Sequence, residues 1–205
     1  PEAVQARLVR DGEVLMGLDP LPVASIVRPV HPCVFYTPDM LVQMKSRIAR
    51  SGWAAEQFAA HRRNAESWLS PRAMPVIGPG GWSHDYVCPD DGARLKWRED
   101  HPTKHLCSAC GKEWSDPKRD AYWQCVVHGK FASGFRDLAL CWQILGEERF
   151  AESAKQILLW YAENYSKYPE GRGPAGRGRV MSQSLSECSW LIRMLEGADL
   201  IFPAL

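Results

Sequence analysis

Two things are nearly missing from this 205-residue sequence: net charge and long apolar runs. Its 25 Lys and Arg residues face 24 Asp and Glu, leaving a formal charge of +1, so bulk attraction to nucleic acid or an anionic membrane is excluded. Any polyanion it handles has to be met by a local cluster of cations. Arg, Lys, Glu or Asp interrupts every hydrophobic stretch before the roughly 20 residues needed to cross a bilayer, and no membrane partner is expected. An initiator methionine is missing too. The chain opens on Pro1 and closes on the apolar Ile201-Phe202-Pro203-Ala204-Leu205, which leads us to expect a piece of a longer protein whose export signal lies outside it. What is present is enough for a packed domain. A 45% hydrophobic share, 24% charged residues and nine tryptophans argue against wholesale disorder.

The pattern along the chain is mainly helical. Loose alternation from Val4 to Leu18 around Asp11-Gly12 predicts a short N-terminal β-hairpin, and Pro20, Pro22 and Pro29 then block regular structure, so residues 1–30 form an extended or hairpin segment. Thr37-Pro38-Asp39 has the residues of a helix start: an N-cap oxygen, a proline at the first position and an acid for the dipole. Leu41, Met44 and Ile48 follow as an apolar stripe. A second helix runs past Ser51-Gly52 through Phe58, Ala65, Trp68 and Leu69 to Pro71, making a helical hairpin. Later helices are marked by Phe131, Phe135, Leu138, Ala139, Trp142 and Leu145, ending at Gly146; by Phe150, Ala154, Ile157, Leu158 and Tyr161; and by Leu185, Cys188, Leu191 or Ile192, Leu195 and Ala198. A basic glycine loop, Gly171 to Arg179, separates the last two.

Between about Met74 and Asp120 the helical period vanishes. A stretch so long without a helix is usually functional or held by something other than a core. It contains Cys88-Pro89-Asp90-Asp91-Gly92 and Cys107-Ser108-Ala109-Cys110-Gly111, two knuckle-like turns with zinc-ribbon spacing, except that Asp91 replaces a cysteine. Cys88, Asp91, Cys107 and Cys110 are therefore candidate ligands of a structural Zn2+, within an insert spanning 84–119. His84, His101 and His105 compete with Asp91 for the fourth position, and a disulfide of Cys88 with Cys107 or Cys110 is the alternative. Cys33, Cys125, Cys141 and Cys188 are expected to be buried small hydrophobes.

Other side chains suit contact with an acidic polymer. Arg172, Arg177 and Arg179 can pair bidentately with carboxylate or sulfate, although a solvated loop explains them as well. Gln183 and Glu187 share a helix face and can bind sugar hydroxyls or simply face water. His128, beside Gly129 and ahead of the long helix, is the candidate base, against the commoner structural role of a lone histidine. Trp123 and Trp190 can present rings to sugars, whereas Trp142 and Trp160 sit on helical apolar faces.

Taken in order, the opening His31-Pro32-Cys33-Val34-Phe35-Tyr36-Thr37-Pro38-Asp39, the double knuckle from Tyr86 to Gly111, Asp120-Ala121-Tyr122-Trp123, the helix start from Gly146 to Lys155 and Gln183-Ser184-Leu185-Ser186-Glu187-Cys188-Ser189-Trp190 resemble heparinase II/III-like polysaccharide lyases. The resemblance covers residues 31–205. It implies part of an incomplete (α/α) toroid, preceding a C-terminal remainder with β-sheet domains, and β-elimination of uronic-acid-containing polysaccharide in the periplasm or outside the cell. It also implies that the family's catalytic Asn, His and Tyr lie outside this chain. The alternative is a non-catalytic module that binds a glycan or a protein and is organised by the zinc ribbon. Nucleic-acid binding through the ribbon is disfavoured by the neutral charge.

Overall fold

Capping chemistry sets where the helices begin. In the computed structural model, which describes residues 7–10, 13–17, 29–171 and 178–205, α1 (Pro38–Arg50) starts with the Thr37 hydroxyl accepting from the Met40 N–H, and Pro38 fills the first helical position. Helix α2 (Gly52–Ser67) follows after Ser51 alone. Helix α3 (Pro117–Leu145) is capped by Asp116, whose carboxylate accepts from the Lys118 and Arg119 N–H groups. It closes on Gly146 at φ 72°, the left-handed conformation in which glycine lacks the usual steric cost. Helices α4 (Glu148–Asn164) and α5 (Ser184–Ile201) complete the α-helices among the described residues.

The chain divides into two compact units, residues 1–30 and 31–205. In the first, β1 (Arg7–Arg10) pairs antiparallel with β2 (Glu13–Gly17), Arg10 opposite Glu13. The expected turn at Asp11-Gly12 lies outside the described residues. The second unit is mainly helical, with α3 packed against α1, α2, α4 and α5. Phe135, Leu138 and Ala139 of α3, Phe150, Ala151 and Ala154 of α4, and Leu200 and Ile201 of α5 are fully buried. Each large apolar side chain buried this way contributes roughly 1.5–3 kcal/mol before entropy is counted. The packing is close enough that a Cβ on Gly134 would sit inside the Trp68 indole, so α3 accepts a helix-weakening glycine in exchange for a seated tryptophan. No helix among the described residues is long and apolar enough to cross a membrane.

A second, smaller cluster of Tyr86, Cys88, Leu95 and Cys107 lies in the irregular segment. There β3 (Leu95–Lys96), β4 (His105–Cys107) and β5 (Glu113–Trp114) form a three-stranded antiparallel sheet, with Leu95 opposite Cys107 and His105 opposite Trp114.

Three expectations need correction. The long helix begins at Pro117, not near Phe131, so His128 lies inside it; its first half buries Trp123, Cys125 and His128, a mixed face that the apolar period does not reveal. On α5 the buried face is Glu187, Trp190, Met194, Gly197, Leu200 and Ile201, whereas Leu185, Leu191, Ile192 and Leu195 are exposed. That helix is apolar on both sides, and an apolar period alone cannot choose between them. Cys188 accordingly is exposed and Cys33 half-buried, while Cys125 and Cys141 are buried.

Candidate functional site

Two turns bring the cysteines together. In the first, the Cys88 carbonyl accepts from the Gly92 N–H at 2.9 Å, the Cys88 N–H donates to the Ala93 carbonyl at 2.8 Å, and Asp91 Oδ1 accepts from the Ala93 N–H at 2.9 Å. In the second, the Cys107 N–H donates to the Lys112 carbonyl at 2.8 Å, and the Ala109 and Cys110 N–H groups point at Cys107 Sγ from 3.4 Å. Each turn reverses through a glycine at positive φ, Gly92 at 71° and Gly111 at 72°. This is why each knuckle carries a glycine directly after its last polar ligand.

One ligand atom from each of Cys88, Asp91, Cys107 and Cys110 lies within 4.8 Å of the others, so the cluster can hold a metal ion. Cys88 Sγ and Cys110 Sγ are 3.8 Å apart, far beyond a disulfide bond, and all seven cysteines are free thiols. The acid–base balance is that of a crowded anion site. The Ala93 N–H, with help from the Cys110 thiol, holds the Asp91 carboxyl down to about 2. Desolvation raises Cys107, but the Cys110 and Ala109 N–H groups outweigh it and the net shift is downward. The Lys112 N–H favours a Cys110 thiolate; desolvation and the neighbouring Asp91, Cys107 and Cys88 override it and push that thiol up to about 12. Four such groups cannot all ionise together without a cation between them, and a bound metal removes the competition.

The histidines expected to compete for this site are elsewhere. His84 lies against Trp82, with ring centroids 4.5 Å apart, and His101 is 2.8 Å from Asp100. His105, fully buried, links the Tyr86 hydroxyl at 2.9 Å to the Asp120 carboxylate of α3 at 2.8 Å. It fastens the small sheet to the long helix. Arg119 adds two hydrogen bonds to the Val87 carbonyl.

The remaining candidates are dispersed and mostly committed. His128 is 1% exposed, its Nδ1 sits 2.7 Å from the Tyr161 hydroxyl, and burial lowers its pKa to about 4. Trp123 is buried, with Nε1 donating to the Arg98 carbonyl at 2.7 Å. Trp190 is buried and lies parallel to Tyr165, centroids 5.9 Å apart. Arg179 donates to the Ser166 and Tyr168 carbonyls and pairs with Glu170 at 2.8 Å. Arg172 and Arg177 lie outside the described residues. Gln183 occupies the N-cap position of α5 without a side-chain capping bond, and its amide donates to the Ser186 hydroxyl. Glu187 is buried and accepts from the Tyr165 hydroxyl at 2.8 Å and the Met181 N–H at 2.7 Å, fixing the strand of chain that leads into α5.

A further cluster escaped the sequence pattern. Asp199 of α5, 6% exposed, accepts from His31 Nδ1 at 2.6 Å, from the Cys33 N–H at 3.0 Å and from the Val34 N–H at 2.8 Å. Burial raises the Asp199 carboxyl, but these donors outweigh it and hold the group below its ordinary value. His31, Cys33 and Asp199 also meet the distance requirement for a metal. With its oxygens engaged by backbone N–H groups, however, Asp199 acts as a latch between the His31-Pro32-Cys33 opening and α5. Only the His31 end of that latch was marked in the sequence, because its partner is 168 residues away.

No family model matches the chain. Part of it is similar to an exo-oligoalginate lyase of Saccharophagus degradans, 32% identical over 80 residues, which are 38% of this chain and 11% of that protein. It is also similar to an alginate lyase of Stenotrophomonas maltophilia, 36% identical over 67 residues, 31% of this chain and 9% of that protein. The match thus spans about a tenth of the length of these curated relatives. These local similarities relate the chain to polysaccharide lyases.

Proposed function

We propose that this chain belongs to the N-terminal helical portion, an incomplete (α/α) toroid, of an exported lyase that cleaves uronic-acid-containing polysaccharide, of the alginate kind, by β-elimination. The local similarity to two proteins named as alginate lyases carries this reading. Elimination needs a group that neutralises the uronate carboxylate, a base for the adjacent ring proton and an acid for the departing sugar oxygen. His128 does not suit the role of base: it is 1% exposed and its ring is engaged with Tyr161. The chain's own contribution is then scaffold and substrate binding, with proton abstraction assigned to residues outside it.

In this reading the cysteine cluster is a structural zinc ribbon. Zinc bonds of about 2.3 Å to sulfur and about 2.0–2.2 Å to carboxylate oxygen give a tetrahedron with S···S edges of about 3.8 Å and S···O edges of about 3.6 Å. The 3.8 Å between Cys88 and Cys110 and the 3.4 and 3.5 Å between Cys107 and the Asp91 oxygens agree with that geometry. With Cys88, Asp91, Cys107 and Cys110 all serving as ligands, a bound zinc would hold structure and would leave no open position for a reacting group.

A longer protein that includes this chain should release unsaturated, ultraviolet-absorbing products from alginate while lowering its viscosity. Absence of such absorbance from alginate and from other uronate polymers rejects the lyase reading. Elemental analysis of the native protein should give one zinc per chain.

A further inference from the structure

Two adjoining cavities, of about 440 and 320 Å³, share Trp68, Arg72, Glu99 and Lys130 and form one groove between α2, α3 and the arm that follows β3. Its combined size suits a ligand of a few rings. The arm is pinned to α3 by a reciprocal pair of hydrogen bonds: Trp97 Nε1 donates to the Trp123 carbonyl at 3.3 Å, and Trp123 Nε1 donates to the Arg98 carbonyl at 2.7 Å. The two indoles stack, with centroids 5.8 Å apart and planes 20° apart. Arg72 lies over Trp68 at 4.5 Å and pairs with Glu99 at 2.9 Å, so those two charges satisfy each other.

Two further cations have no such partner. Lys130 Nζ lies 4.3 Å from the centre of the Trp97 ring, and Arg193 of α5 lines the same groove. Both side chains are exposed, and neither pairs with a carboxylate among the described residues. The groove therefore presents an excess of two positive charges on walls of indole, with the hydroxyls of Ser67 and Ser133 beside them. An ammonium held over an indole keeps a fixed place without losing its charge, and an exposed guanidinium offers a carboxylate two parallel donors.

We propose that this groove binds an acidic oligosaccharide, with Lys130 and Arg193 each meeting a uronate carboxylate and the tryptophan edges lying against the sugar rings. The choice of uronate over other anions rests on the lyase reading above. The groove lies apart from the cysteine cluster but depends on it, because Trp97, Arg98 and Glu99 belong to the loop joining β3 to β4, and β4 ends at Cys107.

Binding of a saturated mannuronate tetramer to the 205-residue chain, followed by calorimetry and tryptophan fluorescence, tests this directly. Lys130→Met and Arg193→Gln should each weaken binding at least tenfold, and Lys130→Arg should retain most of it. Lys104→Met, an exposed lysine outside the groove, should change nothing, and the uncharged mannotetraose should not bind. Added salt should weaken the interaction. Both groove side chains are exposed, so the variants should melt as the parent does. The proposal is overturned if the tetramer fails to bind, if the neutral sugar binds equally, or if the two groove variants bind like the parent. Lyase activity in a longer protein whose groove fails to bind the tetramer removes the groove and leaves the lyase reading. Tetramer binding without lyase activity in the longer protein does the reverse.

Discussion

The helical body and the cysteine module are held in different ways. In the body, a contiguous set of fully buried side chains from three helices, Phe135, Phe150 and Leu200 among them, excludes water, and each helix is ordered by its neighbours. The module has four core residues, two of them the candidate ligands Cys88 and Cys107, too small an apolar core to offset the entropy of ordering so much irregular chain. Its order comes from polar fasteners: knuckle hydrogen bonds, the His105 bridge from Tyr86 to Asp120 and Arg119 on the Val87 carbonyl. Where apolar area is scarce, the chain substitutes directed bonds, and such bonds fail when one partner is removed.

The largest effect should come from the module. If the cluster holds the proposed zinc, chelation or Cys107→Ser should unfold the module, since structural zinc contributes on the order of 10 kcal/mol in small metal-ordered domains. Proteolysis should then cut between residues 82 and 116 while the far-ultraviolet helical signal persists; joint loss of both signals would mean that the two regions are one cooperative unit. Phe135→Ala strikes the other side. It should cost about 3–5 kcal/mol, read by denaturant unfolding of the helical signal, with the proteolytic resistance of the module at 25 °C unchanged. A smaller effect sharpens the contrast through pH. Burial holds His128 at about 4 against about 6.5 unfolded, so between these values the unfolded chain takes up a proton that the folded one refuses. Stability is lost as pH falls through that window, by about 3 kcal/mol in all. Unfolding of His128→Gln measured at pH 7 and pH 4 should lack that part of the loss.

Much of the body was legible from local signals. Thr37-Pro38-Asp39, Gly146 and the stripes of α1 and α4 name their own elements, because capping and period are properties of a few adjacent residues. Asp116-Pro117 is an equally good helix start, but the face that follows mixes Trp123, Cys125 and His128 with polar neighbours and so shows no apolar period. The buried face of α5 was hidden for the opposite reason: both of its sides are apolar, and a buried Glu187 sits on the inner one. For the cysteine cluster, spacing named the two knuckles that converge, since a knuckle is local, but left the fourth position open between Asp91 and a nearby histidine. The groove was not legible at all. Trp68, Trp97, Lys130 and Arg193 come from four separate segments, and only the packing of the arm on α3 brings them together.

That packing has a thermodynamic corollary. The Trp97 and Trp123 hydrogen bonds tie the arm's position to both the proposed metal site and the proposed groove. Equilibrium linkage is reciprocal: whatever factor metal loss takes from oligosaccharide affinity, a bound oligosaccharide must return to metal affinity. A chelator titration with and without the sugar would read that factor from the metal's side, between two proposed sites that share no residue.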